Sequence, residues 1–182
     1  SRGLGDVYKR QPFIYLPQIN RISKCLHGEK LVIDLNLSGK RAVVTGASLG
    51  IGAAIVKTLA EHGAQVEFCA RSADAVSALA TDKNIVGHTA DMGNQESTEN
   101  FIQRVLDSGP VDILINNVGA SPSRNFLYMS DDDWRDLHEL NLLSAVRCTR
   151  AFLPGMREKK SGRVVMTVSY THLTLPTTSV CR

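Results

Sequence analysis

From Lys40 onward the apolar positions alternate between two periods. RAVVT is a short run rich in β-branched residues that ends in the turn-forming GASLGIG, the pattern of a strand buried inside an α/β sheet. Ile51, Ala54, Ile55, Thr58, Leu59 and His62 then recur at helical spacing as far as Gly63, which predicts an amphipathic helix that stops there. The alternation repeats. AQVEFCA reads as a second strand, SADAVSALA as a helix that Ser72 can cap, NIVGHTA as a third strand, ESTENFIQRVLDSG as a helix closed by Gly109, and VDILINN as a fourth strand. Ser130, followed by Asp131, Asp132 and Asp133, opens a long helix running to about Lys160. Ser130 and Asp133 have capping-box spacing, and three carboxylates face the positive helix end. Pro154 is expected to kink that helix or end it early, and GRVVM starts a fifth strand. Strands alternating with helices predict an α/β fold with a doubly wound parallel sheet, whose ligands bind in the crevice at the strands' carboxyl ends.

The bulk numbers narrow the class. A chain of 182 residues, 43% apolar and 21% charged, suits one globular domain. It holds no run of roughly 18 apolar residues, and the opening SRGLGDVYKRQPFIYLPQINRISK has neither a continuous apolar core nor a cleavage site, so we expect a cytoplasmic protein without membrane attachment. The net charge of +3 comes from residues 1–31 and Arg182; residues 32–167 carry −2. A mildly acidic middle without a basic stripe gives no case for nucleic-acid binding. Cys25, Cys69, Cys148 and Cys181 have no paired spacing and the histidines do not cluster, so neither a metal site nor a redox pair is expected.

The chemistry concentrates at Gly46-Ala47-Ser48-Leu49-Gly50-Ile51-Gly52, between the first strand and its helix. There Gly46 permits a tight turn, Gly50 lets backbone approach a pyrophosphate, and Gly52 allows close helix–strand packing, while the helix N-terminus offers unpaired N–H groups to phosphates. The spelling TGASLGIG, together with NNVG at Asn116–Gly119, resembles the classical branch of the short-chain dehydrogenase/reductase family over about residues 34–167. The resemblance implies a Rossmann fold that is C-terminally truncated here, and an NAD(P)-dependent oxidoreductase. It further implies that Gly46, Ser48, Gly50, Ile51 and Gly52 cradle the diphosphate, that Asp91 and the Met92 backbone contact the adenine, and that Asn117 and Gly119 border the ribose. Asn141, in HELNLLSA, matches the family's catalytic asparagine, whose backbone carbonyl holds a water of the proton relay. Val118 departs from the alanine usual in that family.

The end of the second strand selects the cofactor. A carboxylate there would grip a ribose 2′-hydroxyl and repel a 2′-phosphate. The chain has Cys69-Ala70-Arg71-Ser72 instead, and the Arg71 guanidinium suits a phosphate, so NADP is expected over NAD. Leu49 occupies the loop position where many NADP-using relatives place a second basic residue.

The two ends read differently. In the resembled family a serine follows the fifth strand, and a Tyr-x-x-x-Lys comes about a dozen residues later. Ser169 falls at the serine position, yet Tyr170 is adjacent to it and Thr174 stands where the lysine belongs. One DNA segment accounts for both ends: Asp6–Gln11 written as GATGTGTATAAGAGACAG has the reverse complement CTGTCTCTTATACACATC, which in a shifted frame encodes the Val168–His172 stretch. That segment matches a sequencing-library adapter. Residues 1–11 and 168–182 are therefore expected to be adapter-derived, residues 12–31 a translated leader or a genuine N-terminal extension, and residues 32–167 the N-terminal part of one domain. Ser169 and Tyr170 drop out as catalytic candidates, and the chain by itself is expected to be inactive.

The sequence thus leads to an NADPH-dependent carbonyl reductase or alcohol dehydrogenase, 3-oxoacyl reductase-like, acting on a small molecule and, by resemblance, assembling as a homodimer or homotetramer. A non-catalytic dinucleotide sensor of the same fold is the alternative. A methyltransferase also begins with a glycine turn after a strand, but NNVG and Asn141 fit it poorly. The substrate is not legible: SPSRNFLYM, which borders the expected pocket, suits an acyl thioester, a sugar, a steroid or a simple ketone equally.

Overall fold

The computed structural model describes residues 35–121 and 126–168. The expectations for residues 1–31, and those for Ser169, Tyr170 and Thr174, lie outside the described residues. Five short strands, β1 (Arg41–Val44), β2 (Gln65–Ala70), β3 (Ile85–Thr89), β4 (Ile113–Asn116) and β5 (Arg163–Met166), pair in the order β3-β2-β1-β4-β5. Every pairing is parallel. Among the described residues five α-helices connect them: α1 (Gly50–Glu61), α2 (Ala73–Leu79) and α3 (Gln95–Asp107), then the run α4 (Asp131–His138) to α5 (Ser144–Glu158). Because β1, β2 and β3 step outward and β4 returns to the other side of β1, the chain reverses direction across the sheet between β1 and β4. A crevice opens at the strands' carboxyl ends where such a reversal occurs.

Alternation along the central strands builds two apolar layers. Val43 and Cys69 face Phe101, Ile102 and Val105 of α3 and Cys148, Phe152 and Met156 of α5. Ala42, Val44, Val66 and Phe68 face Val56 of α1 and Leu79 of α2. Both faces being covered explains why the strands read as continuous apolar runs. β5 is the exception, lying at the sheet's edge with all four residues exposed.

Three expectations are corrected. The helical stripe of α1 is rotated: Gly52 and Val56 are buried and Ile55 and Leu59 pack against the core, whereas Ile51, Ala54 and Thr58 are exposed. Gly52 sets the rotation, since only that position lets the helix meet the glycine turn at backbone distance. The helix predicted as one piece from Ser130 is interrupted by a π-turn, Glu139–Leu143, in which the Ser144 N–H bonds to the Glu139 carbonyl. Pro154 does not end α5, which continues to Glu158; proline in the last turns of a helix forgoes one backbone hydrogen bond and leaves little helix beyond it to deflect. The other signals hold. Ser72 caps α2, the Ser130–Asp133 capping box opens α4, and Gly63 and Gly109 adopt φ values of +90° and +121° after their helices.

On the α3 side of the sheet one charged residue, Glu67, is buried. Glu67 of β2 pairs with Arg41 of β1, and its other oxygen lies 2.8 Å from His88 Nε2 on β3, with the His88 ring edge-on to Phe101. Arg41 Nη2 also donates to the Val105 carbonyl at 3.2 Å and Nη1 to that of Pro110 at 3.3 Å. Burial pushes the Glu67 carboxyl up, but the hydrogen bonds from His88 and Arg41 and the Arg41 charge outweigh it, holding Glu67 below the ordinary glutamate range. A carboxylate whose folded pKa is depressed stabilises fully above its unfolded value, about 4.3, and loses that contribution as pH falls through the lower folded value. Glu67→Ala, which strands the Arg41 guanidinium, is expected to cost about 3–5 kcal/mol by urea denaturation of the full-length protein. Glu67→Gln should flatten the decline of stability with falling pH below about pH 4.

Candidate nucleotide-binding site

The site begins with an open helix end. α2, α3 and α4 start with Ser72, Asn94 and Ser130, whose side chains accept backbone N–H groups of their first turns. α1 starts after Leu49, which offers no such acceptor, and its first turn carries no acidic residue. Its first N–H groups and its positive dipole end therefore face outward, available to an anion.

The turn that leads into this end is held by close backbone contacts. Gly46 has φ of +68° and Gly50 of +58°, left-handed values that favour glycine. A Cβ on Gly52 would lie 2.5 Å from both the Gly46 carbonyl oxygen and Asn117 Nδ2; Val118 Cγ2 fills the space a Gly46 side chain would take. Asn117 Nδ2 donates to the Gly46 carbonyl at 2.9 Å. Thr45, which the motif reading passed over, joins the two segments: its buried hydroxyl oxygen accepts the N–H groups of Asn117 and Val118 at 3.0 and 3.2 Å. A threonine at the end of a buried strand, just before the first glycine, is the only sequence signal for this. Ala47 N–H completes the anchorage by donating to the Cys69 carbonyl at 3.0 Å.

Around this turn lies a cleft of about 140 Å³ that gathers seven of the predicted residues, Gly46, Ser48, Arg71, Asp91, Met92, Asn117 and Gly119. Gly50 and Ile51 stand exposed at the start of α1, and Gly52 is buried behind the turn. Arg71 is exposed at the mouth just after β2, beyond Cys69 and Ala70, which form the wall there. The far wall is fixed from α3. Ser97 accepts the Asp91 N–H at 2.9 Å, Asp91 Oδ1 accepts the Gly93 N–H at 2.9 Å, and the buried Thr98 hydroxyl donates to the Met92 and Asn94 carbonyls at 3.3 and 2.8 Å. Asn141 is separate from this cleft. It sits in the π-turn and grips Ala120 twice, donating from Nδ2 to the Ala120 carbonyl at 2.9 Å and accepting the Ala120 N–H on Oδ1 at 2.8 Å. A π-turn shifts carbonyls off the regular helical ladder, a device frequent at functional sites.

The chemistry available is anion binding rather than nucleophilic attack. Burial pushes the Cys69 and Cys148 thiols up to about 12, which makes them inert core groups. Among the described residues no cluster of three or more His, Cys, Asp or Glu side chains could hold a metal ion, and no helix is long and apolar enough to cross a membrane. Backbone N–H groups, a helix end and one guanidinium together suit a phosphorylated ligand.

Comparisons with known proteins agree with this geometry. The family described as short chain dehydrogenase matches residues 40–178, a span that runs past Thr167. The 3-oxoacyl-(acyl-carrier-protein) reductase FabG of Vibrio cholerae is 40% identical over 134 residues, covering 72% of this chain and 55% of that protein. The uncharacterized oxidoreductase YvrD of Bacillus subtilis is 34% identical over 137 residues, covering 73% and 52%. Among solved structures, L-sorbose reductase from Gluconobacter frateurii, complexed with NADPH and L-sorbose, superposes with a TM-score of 0.69 at 33% identity, over 74% of this chain and 54% of that one. A metagenomic short-chain oxidoreductase in complex with NADP gives a TM-score of 0.68 at 33% identity, over 72% and 62%. The chain spans about half the length of the curated relatives it matches.

The Thr45 contacts make a direct prediction. Thr45→Val keeps the shape and strands two backbone N–H groups, so it should cost the full-length protein about 1–3 kcal/mol in urea denaturation, with Thr45→Ser retaining most of the stability.

Proposed function

The chain belongs to the short chain dehydrogenase family, and on that premise we propose that the whole protein is an NADPH-dependent carbonyl reductase, working in the cytoplasm on a small-molecule substrate. The observation that carries the cofactor choice is Arg71, a cation at the mouth of the cleft just after β2, where no carboxylate stands. The fit to a dinucleotide is supported by the open space beside Gly50, where an added Cβ would meet nothing within 4 Å, and by the uncapped start of α1. In this reading Gly46, Ser48, Gly50 and Ile51 present backbone to the diphosphate, and Gly52 brings the helix end close enough to do so. Arg71 receives the 2′-phosphate, Asp91 and the Met92 backbone meet the adenine, and Asn117 and Gly119 border the ribose. The NADPH and NADP bound in the two structural relatives support the same choice.

When bound, reduced nicotinamide supplies a hydride to the carbonyl carbon. What this chain contributes is placement. The Asn141 side chain fixes Ala120, which lines the cleft, and in this reading its backbone carbonyl, within the π-turn, would hold a water on the path of the proton that the substrate oxygen takes up. The likeness to FabG makes 3-oxoacyl thioesters the first substrates to test. The α4–α5 run around Asn141 serves as part of the interface of a dimer or tetramer.

Steady-state kinetics of the full-length protein with NADPH and NADH test the reading. Arg71→Ala is expected to raise the KM for NADPH about 10–100-fold, the worth of a charge-assisted hydrogen bond, and to change that for NADH by less than about threefold. Equal losses for both coenzymes would contradict the assignment of Arg71. Binding of NADPH without oxidation by any carbonyl would favour a dinucleotide sensor.

A further inference from the structure

A regular α-helix gives each carbonyl the N–H four residues further on, so the Leu140 carbonyl would take the Ser144 N–H. In the π-turn that N–H goes to the Glu139 carbonyl instead. Ser144 is 2% exposed, and its hydroxyl donates to the Leu140 carbonyl at 2.5 Å. One residue thus serves two successive carbonyls, the first with its N–H and the second with its hydroxyl. Widening a turn takes a carbonyl's ladder donor away, and a carbonyl left without a partner out of solvent is costly. A serine reaching back four residues supplies the missing donor from within the helix. Alanine has only the N–H to give, so it would either strand the Leu140 carbonyl or return the N–H to it and restore the regular ladder.

The register matters because of what the turn carries. One additional residue in a turn rotates the positions before it by about 100° relative to those after it. Leu140 lines the nucleotide cleft, its Cδ1 3.6 Å from where a Cβ on Gly93 would lie. Asn141 grips Ala120 of the same cleft by two hydrogen bonds. Both owe their facing to the widened turn. The ion pair beside the turn acts on its ends rather than on its ladder: Glu139 takes Arg147 Nη1, and Arg147 Nη2 lies 3.4 Å from Gln95 Oε1 at the start of α3. We propose that Ser144 is a positioning residue for the reduction: by supplying the Leu140 carbonyl, its hydroxyl keeps the π register that aims Asn141 at Ala120. The inference rests on the reductase reading for its effect on turnover, though not for the register itself.

Amide hydrogen exchange in the full-length protein is the direct test, read at the Ala120 N–H, which Asn141 Oδ1 accepts at 2.8 Å. Ser144→Ala is expected to speed that exchange at least about tenfold and to leave the Val43 and Leu114 amides of the central strands within about twofold. Ser144→Thr, which keeps the hydroxyl, should restore the protection. Alanine is the better helix former, so a role confined to helix stability predicts an equal or higher melting temperature in Ser144→Ala and no change at Ala120. An Ala120 amide unprotected in the wild type, or equally protected in Ser144→Ala, would overturn the proposal, as would equal losses at Ala120 and in the strands. In kinetics with NADPH, Ser144→Ala should lower kcat at least about fivefold while the KM for NADPH stays within about twofold, and Ser144→Thr should recover most of the rate. A kcat within about twofold of wild type in Ser144→Ala would contradict the role in turnover. If the wild-type protein oxidises NADPH with no carbonyl, it is the reductase reading that fails; the exchange result judges the register by itself.

Discussion

The start of α1 can lie against the end of β4 because Gly52 has no side chain. A single carbon added there would meet the Gly46 carbonyl oxygen and the Asn117 amide at 2.5 Å, and neither the backbone nor an amide bonded to it can yield that much. Everything at the carboxyl edge of the sheet depends on this approach. Asn117 bonds the Gly46 carbonyl, Thr45 gathers the next two N–H groups, and the turn is thereby stitched to the strand across the point where strand order reverses. A helix end left without a cap is ordinarily a cost; here, beside a cleft that Arg71 also lines, it leaves N–H groups open to an anion.

The polar interior is divided accordingly. On the α3 side of the sheet the buried Glu67 bonds both Arg41 and His88, which are half-buried, and Asp112 ties the start of β4 to the Arg41 N–H at 3.0 Å and to Lys159 at 3.1 Å. Burial raises the Asp112 carboxyl, but these partners hold it below the usual carboxylate range. These groups are satisfied by one another and serve architecture, fixing which strands and helix ends meet. At the carboxyl edge polar groups are left open instead: the uncapped N–H groups of α1 and the Arg71 guanidinium. The division between closed and open polar groups separates scaffold from site.

Most of the fold was legible because each signal was local. Period, glycine stops and capping residues lie within a few positions of what they control, as at Ser72, Gly63 and the Ser130–Asp133 box. The rotation of α1 was not, because it depends on a contact between Gly52 and Asn117, far apart in the chain; apolar spacing alone favoured Ile51 and Ala54. The π-turn also escaped, since ELNLL is ordinary helical sequence and the local widening comes with tertiary contacts, here the Asn141 clamp on Ala120. Pro154, a strong local signal for a helix end, does not end α5, which continues to Glu158. At the site, the glycines, Arg71 and Asn117 followed from motif chemistry. Thr45 did not, because a hydroxyl at a strand end says nothing about its partner until the neighbouring segment is in place.

The account turns on whether the glycine turn, the open helix end and Arg71 together receive a nicotinamide dinucleotide carrying a 2′-phosphate. Fluorescence titration of the full-length protein with NADPH, NADH and S-adenosylmethionine tests this most directly. Saturable binding of NADPH, at least about tenfold tighter than NADH, is the expected result. Binding of neither nicotinamide coenzyme, or tight binding of S-adenosylmethionine alone, would contradict it.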